Sequence, residues 1–166
     1  MKNIIVLVAL TMTSLAHAEV KVPAFLIGKW VQATRSSPAD TILIQADLAI
    51  ELEQIFQVGR EGSAVPYPTV CTYKTIGLID DVTEASEMEK DYYKKANKEA
   101  PTISIGYSVN KIELLGGSKS SLNCIEFLKQ QTASIQEGGL HYTKSLTDMS
   151  DAVILDPWYS YIFTKH

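Results

Sequence analysis

Few side chains in this sequence have the type and spacing for chemistry. Histidine carries protons near neutral pH, and after residue 18 it occurs only as His141 and His166. His141 falls on the polar face of an alternating run, so both histidines are expected in solvent, with no partner for a triad. Glu51 and Glu53 lie two apart on one strand, about 7 Å from Cα to Cα. Two-carboxylate glycoside hydrolysis uses similar separations. These two, however, point to the same outer side of a sheet and not across a cleft. Asp80-Asp81 ends one element and opens the next, which suits a helix cap better than a metal site. No GxSxG, GxxxxGKS/T, HExxH or EF-hand loop is present. No residue is assigned a catalytic or metal-binding role, and no cofactor is expected.

The remaining reactive pair is Cys71 and Cys124, and its reading depends on compartment. Met1-Lys2-Asn3 is a short positive start, Ile4 to Leu10 is an unbroken apolar run, and Ala16-His17-Ala18 has small residues where a signal peptidase cuts. The apolar run is too short for a permanent span of about 20 residues. Residues 1–18 are therefore read as a signal peptide and 19–166 as one exported domain, periplasmic or secreted. Two cysteines in an oxidising compartment allow one internal disulfide; the alternative is two separate buried thiols. No CxxC or Cys/His spacing suggests zinc.

Cutting 18 residues from 166 leaves 148, enough for one ordinary core. Lys2 leaves with the leader, so 14 of the 15 Lys and Arg remain against 19 Asp and Glu, a net charge of −5. No basic face forms, which argues against nucleic acid and anionic membrane surfaces as partners.

Most of the domain alternates with period two. Ile42 and Ile44 form a short run that turns near Asp47, and Ile50, Leu52 and Phe56 then share a face opposite Glu51 and Glu53. Residues 59–68 read as a loop and Thr69 to Ile79 as a longer strand. Ile103, Ile105, Tyr107 and Val109 alternate with polar residues, and Ile112 and Leu114 continue until Gly116-Gly117. The stretch "NCIEFLKQQTASI" reads as a strand whose alternation slips near Lys129, the sign of a bulge. Gly138-Gly139 reads as a hairpin turn, followed by Leu140 and Tyr142 on one face. "AVILD", a turn at Asp156-Pro157, and a strand aligning Tyr159, Tyr161 and Phe163 complete the pattern. About nine short strands predict an all-β barrel or sandwich.

Residues 84–98 are the exception and predict one inserted helix. Asp81 with Glu84 matches a capping box and Pro101 lies beyond the end. Acids crowd the first half and lysines the second, which suits the helix dipole. Ala85, Met88, Tyr92 and Ala96 make a thin apolar stripe, fit for a surface helix or for a lid over a barrel mouth.

"LIGKWVQATR" starts the first strand with Gly28-Lys29-Trp30. An exported all-β chain of this length with Gly-x-Trp in its first strand resembles the lipocalin-like superfamily, particularly small bacterial lipocalin-like domains. The resemblance implies an eight-stranded antiparallel up-and-down β-barrel whose base is plugged by Trp30. The family's late Thr-Asp-Tyr is matched in two of three positions by Thr147-Asp148-Met149, whereas its Arg over the Trp is replaced by Lys165. It further implies a small hydrophobic or lipid-like ligand, lined by Ile50, Leu52, Phe56, Ile105, Tyr107, Tyr142, Tyr161 and Phe163. Those side chains would equally fill a solid core. The other class is an exported protein-binding module, such as a hydrolase inhibitor, acting through loops 59–68 and 116–121.

The exported protein should start at Glu19 and, with Cys71 joined to Cys124, weigh two hydrogens less than its reduced form by intact mass spectrometry. Two thiols titrating in the native protein would rule out the bond.

Overall fold

The computed structural model describes residues 20–32, 40–58, 69–95, 100–134, 137–144, 151–155 and 162–166. Among them are eight strands: β1 (Gly28–Gln32), β2 (Thr41–Ile44), β3 (Ala49–Val58), β4 (Thr69–Glu84), β5 (Ile103–Leu114), β6 (Glu137–Lys144), β7 (Asp151–Leu155) and β8 (Ile162–Lys165). Each pairs antiparallel with the next in sequence, and β8 pairs back onto β1, so the sheet closes as an up-and-down barrel. Helix α1 (Glu87–Lys95) joins β4 to β5; a 3-10 turn (Gly116–Ser120) and helix α2 (Leu122–Ser134) join β5 to β6. No helix among the described residues is long and apolar enough to cross a membrane.

Alternation places the core. Ile42, Ile44, Ile50, Leu52, Ile79, Ile105, Leu140 and Phe163 face inward with Trp30, and at most 2% of any of them is exposed. The three longest strands outrun their neighbours: β2 pairs β3 only at Ile50–Glu53, and β6 pairs β5 only at Ile103–Ser108. Their far halves stand clear of the other strands, and α2 packs on the same inward face there. Phe56, Cys71, Tyr73, Ile112 and Leu114 meet Cys124, Ile125, Phe127 and Leu128 in a second cluster. Cys71 and Cys124 are disulfide-bonded, with Cα atoms 5.5 Å apart.

Several expectations are corrected. "NCIEFLKQQTASI" lies almost wholly in α2 and is not a strand. Ser121 Oγ accepts the Cys124 N–H (3.4 Å) as an N-cap, and Cys124, Phe127 and Leu128 share one face at i, i+3, i+4. That accounts for eight described strands where about nine were expected. Gly138-Gly139 is no turn; both lie within β6, where Tyr107 crosses the face of Gly138 so closely that a Cβ would overlap its ring. Asp80, Asp81 and Glu84 belong to β4, which runs five residues past Ile79, so none of them caps a helix.

Helix α1 is found where predicted but starts later. Ser86 and Glu89 form the capping box: Ser86 N–H donates to Glu89 Oε2 (2.6 Å) and Glu89 N–H to Ser86 Oγ (3.3 Å). Acids occupy its first turn and lysines its last, as expected. Its apolar stripe is misplaced. Met88 and Tyr92 are exposed and Tyr93 is buried; Ala85 is buried but precedes the helix, and Ala96 lies outside the described residues. Outward-facing Ser104 and His141 hold the helix, so α1 lies on the outer wall and is not a lid over the mouth. Loop 59–68, the 147–149 motif and Trp158, Tyr159 and Tyr161 also lie outside the described residues.

The disulfide closes a loop across 53 positions, for which loop-closure entropy alone gives about 4 kcal/mol. Replacing both cysteines by Ala should therefore lower stability by up to about 4 kcal/mol in urea unfolding, with hydrogen exchange accelerating first in α2. Uniform acceleration, α2 and the barrel base alike, would mean the two clusters are one cooperative unit.

Candidate functional site: the barrel interior and its two ends

The base is built around Trp30. No part of the side chain is exposed, and its Nε1–H donates to the Leu26 carbonyl at 2.9 Å. Tyr142 meets it edge-on with centroids 6.3 Å apart, and Phe25 packs on Tyr142 at 5.1 Å. Lys165 Nζ stands 5.7 Å from the Trp30 ring centroid and donates to the Phe25 carbonyl at 2.7 Å, a cation over an aromatic face. Gly28 makes this possible in two ways. Its φ of 137° suits glycine, and a Cβ there would press on Lys165 Cε at 3.2 Å.

Of the eight residues expected to line a ligand, Ile50, Leu52, Ile105, Tyr142 and Phe163 join the cluster around Trp30. Ile50, Leu52, Ile105 and Phe163 are no more than 1% exposed. Their almost complete burial, together with that of Trp30, Ile42 and Ile44, shows this end packed with side chains. Tyr107 is half-buried at the edge of that cluster. Phe56 lies in the other one, stacked on Tyr73 at 5.0 Å and tilted against Phe127 at 5.8 Å. Tyr161 lies outside the described residues.

Above the packed base comes a polar tier that sequence reasoning missed. Gln32, Asp40 and Thr75 are buried, at 4%, 2% and 5% exposed, and Gln54 is half-buried. Gln32 N–H donates to the Asp40 carbonyl (3.0 Å), and Asp40 Oδ1 accepts the Ile55 N–H (2.9 Å). The signal was parity: Gln32 is two past Trp30, Gln54 two past Leu52, Thr75 two past Tyr73, and Asp40 two before Ile42. Val109, opposite Gly77 in register, and Ile112, opposite Thr75, are half-buried like Tyr107 and Phe56.

The polar side chains outside the barrel serve structure. His141 is not solvated as expected; its side chain is only 13% exposed, and its ring meets that of Tyr93 at 5.7 Å. Ser104 Oγ donates to Glu89 Oε1 at 2.9 Å and lies 3.2 Å from His141 Nδ1. Glu89 approaches that same nitrogen at 3.7 Å. A hydrolytic triad needs Ser and acid on opposite ring nitrogens, so this trio fastens α1 to the wall. Burial pushes the Glu89 carboxyl up, but hydrogen bonds from Ser86 and Ser104 outweigh it and hold the group below the usual carboxylate range. Glu51 and Glu53 flank Lys74 at 2.8 and 3.6 Å on the outer wall, and the hydrogen bond to Glu51 leads in raising the lysine's pKa. His166 is exposed. No group of three metal-binding side chains occurs among the described residues.

Trp30→Ala should cost about 3–5 kcal/mol in urea unfolding, through lost burial and the cavity left behind. Lys165→Ala should cost only about 0.5–1 kcal/mol, because the cation is exposed. Equal losses at the two positions would mean that the contact with Lys165, not burial of the indole, holds the base. No protein-family model, curated protein or solved structure matches this chain, so the chemistry of the site rests on these side chains.

Proposed function

We propose that the chain is an exported, lipocalin-like binding protein that takes a small hydrophobic or lipid-like ligand into the upper end of its barrel. The observation that carries the reading is residual exposure among inward side chains beside a packed base. Ile42, Ile44, Ile50 and Leu52 have almost no exposed surface, whereas Gln54, Phe56, Tyr107, Val109 and Ile112 keep some. An apolar lining with a few polar groups is the usual form of a small-molecule site. The family resemblance is supported by the strand order and by the Lys165 ammonium over Trp30, where lipocalin-like proteins place an arginine. Export is supported by the leader-like residues 1–18 and by the disulfide.

A second reading, a protein-binding module such as an exported hydrolase inhibitor, draws on a different observation. Leu122 and Val70 are 81% and 61% exposed and flank the disulfide in sequence on α2 and β4. Apolar groups so displayed on a pinned element suit a protein partner.

Thermal unfolding with a panel of fatty acids, phospholipids and aromatic metabolites tests the carrier. A ligand of the native state should raise the melting temperature progressively with its excess. Phe56→Trp, filling the upper end, should abolish that rise. Ile105→Trp should instead overpack the base and cost about 1–3 kcal/mol. A panel with no thermal effect would leave the protein-binding reading.

A further inference from the structure

Gln32 Oε1 is the one fully buried side-chain polar atom of the polar tier without a hydrogen-bond partner among the described residues. Alternation from Trp30 turns its side chain into the barrel, and only 4% of the residue is exposed. Its Oε1 accepts a hydrogen bond from none of the described residues. A buried acceptor left without a donor is costly, so native proteins almost always supply one, from protein, water or ligand. Its cross-strand neighbour Asp40 adds a buried acidic side chain, one of whose oxygens is already committed to the Ile55 N–H. Trp30 is the same-face neighbour of Gln32 on β1 and Phe163 its partner on β8, both packed in the hydrocarbon base, and Phe56 and Tyr107 are half-buried inward-facing aromatic side chains.

We infer that Gln32 Oε1 receives the hydrogen-bond-donating head, hydroxyl or amine, of a ligand whose apolar body lies against Phe56 and Tyr107. The inference rests on the carrier reading and adds polarity and orientation to it. An apolar compound of the same shape lacking a donor leaves the Gln32 oxygen dry and unpaired, and is rejected for that reason.

Octanol, octylamine and octyl methyl ether share a chain and differ in the head. Titrated calorimetrically into the full protein, octanol, octylamine or both should bind about tenfold more tightly than the ether. Octylamine ahead of octanol assigns the tier to a cation; octanol level or ahead assigns it to a hydroxyl. Gln32→Leu should remove the preference by weakening the donors while leaving the ether unchanged. If the variant does not fold, the Gln32 side-chain amide resonances of the wild type decide. They should move with octanol or octylamine and stay put with the ether. Equal affinities for all three probes, a preference that survives Gln32→Leu, or equal movement of the amide signals would overturn the inference and leave the carrier standing, with water alone serving Gln32. If none of the three binds, the inference is overturned; the carrier reading falls with it only if the wider panel also gives no thermal shift.

Discussion

Strand β1 meets β8 at Trp30, Val31 and Gln32, and this meeting converts a curled sheet into a barrel with an inside. Unjoined, both strands would present open edges, and backbone N–H and C=O groups would seek other partners. Joined, each strand has one dry face and one wet face, and period-two alternation can sort residues between them. Trp30 sits on this seam. It faces Ile42 on one side and Lys165 on the other in register, bonds Leu26 through its indole nitrogen, and fills the base with the largest side chain available. The placement of Ile50, Leu52, Ile105 and Phe163 presupposes that closure.

The upper half solves the same problem differently. Three strands extend past their neighbours with an apolar face that no other strand among the described residues covers, and a helix packs on it. A cluster of so few residues buries little area, so a covalent link between β4 and α2 compensates for its size. The two halves also differ in rigidity of purpose. The base is filled with hydrocarbon, while the region between base and helix holds buried amide, carboxyl and hydroxyl groups. Polar groups are expensive in such a place, and their concentration there is the strongest departure from a core built for stability alone.

Much of this architecture was legible. Alternation located β2, β3, β5 and β7 closely, ended β4 five residues early, began β6 after its glycines, and met β8 only at Ile162 and Phe163 of the run 159–163; the lone cysteine pair foretold the disulfide. Helix α2 escaped because Cys124, Ile125, Phe127 and Leu128 satisfy a strand pattern with one slip as easily as a helical one, and only the Ser121 cap discriminates. Helix α1 was legible in its charges but not in its rotation. Glu89 reaching Ser104 and His141 turns Tyr93 toward the wall, a tertiary contact no local pattern encodes. The polar tier was missed for a plainer reason. Gln32, Asp40, Gln54 and Thr75 have inward parity, but residue type was allowed to outrank position.

The seam between β1 and β8 also dictates an order of events. Trp30 and Lys165 stand 135 positions apart, so no growing chain can complete the barrel until β8 has been made. Every earlier intermediate is an open sheet with an exposed apolar face, and its ends meet only after a long loop has closed. Folding dominated by such distant pairings is slow. A chain of this design therefore stays open until β8 has emerged, and that strand acts as the latch.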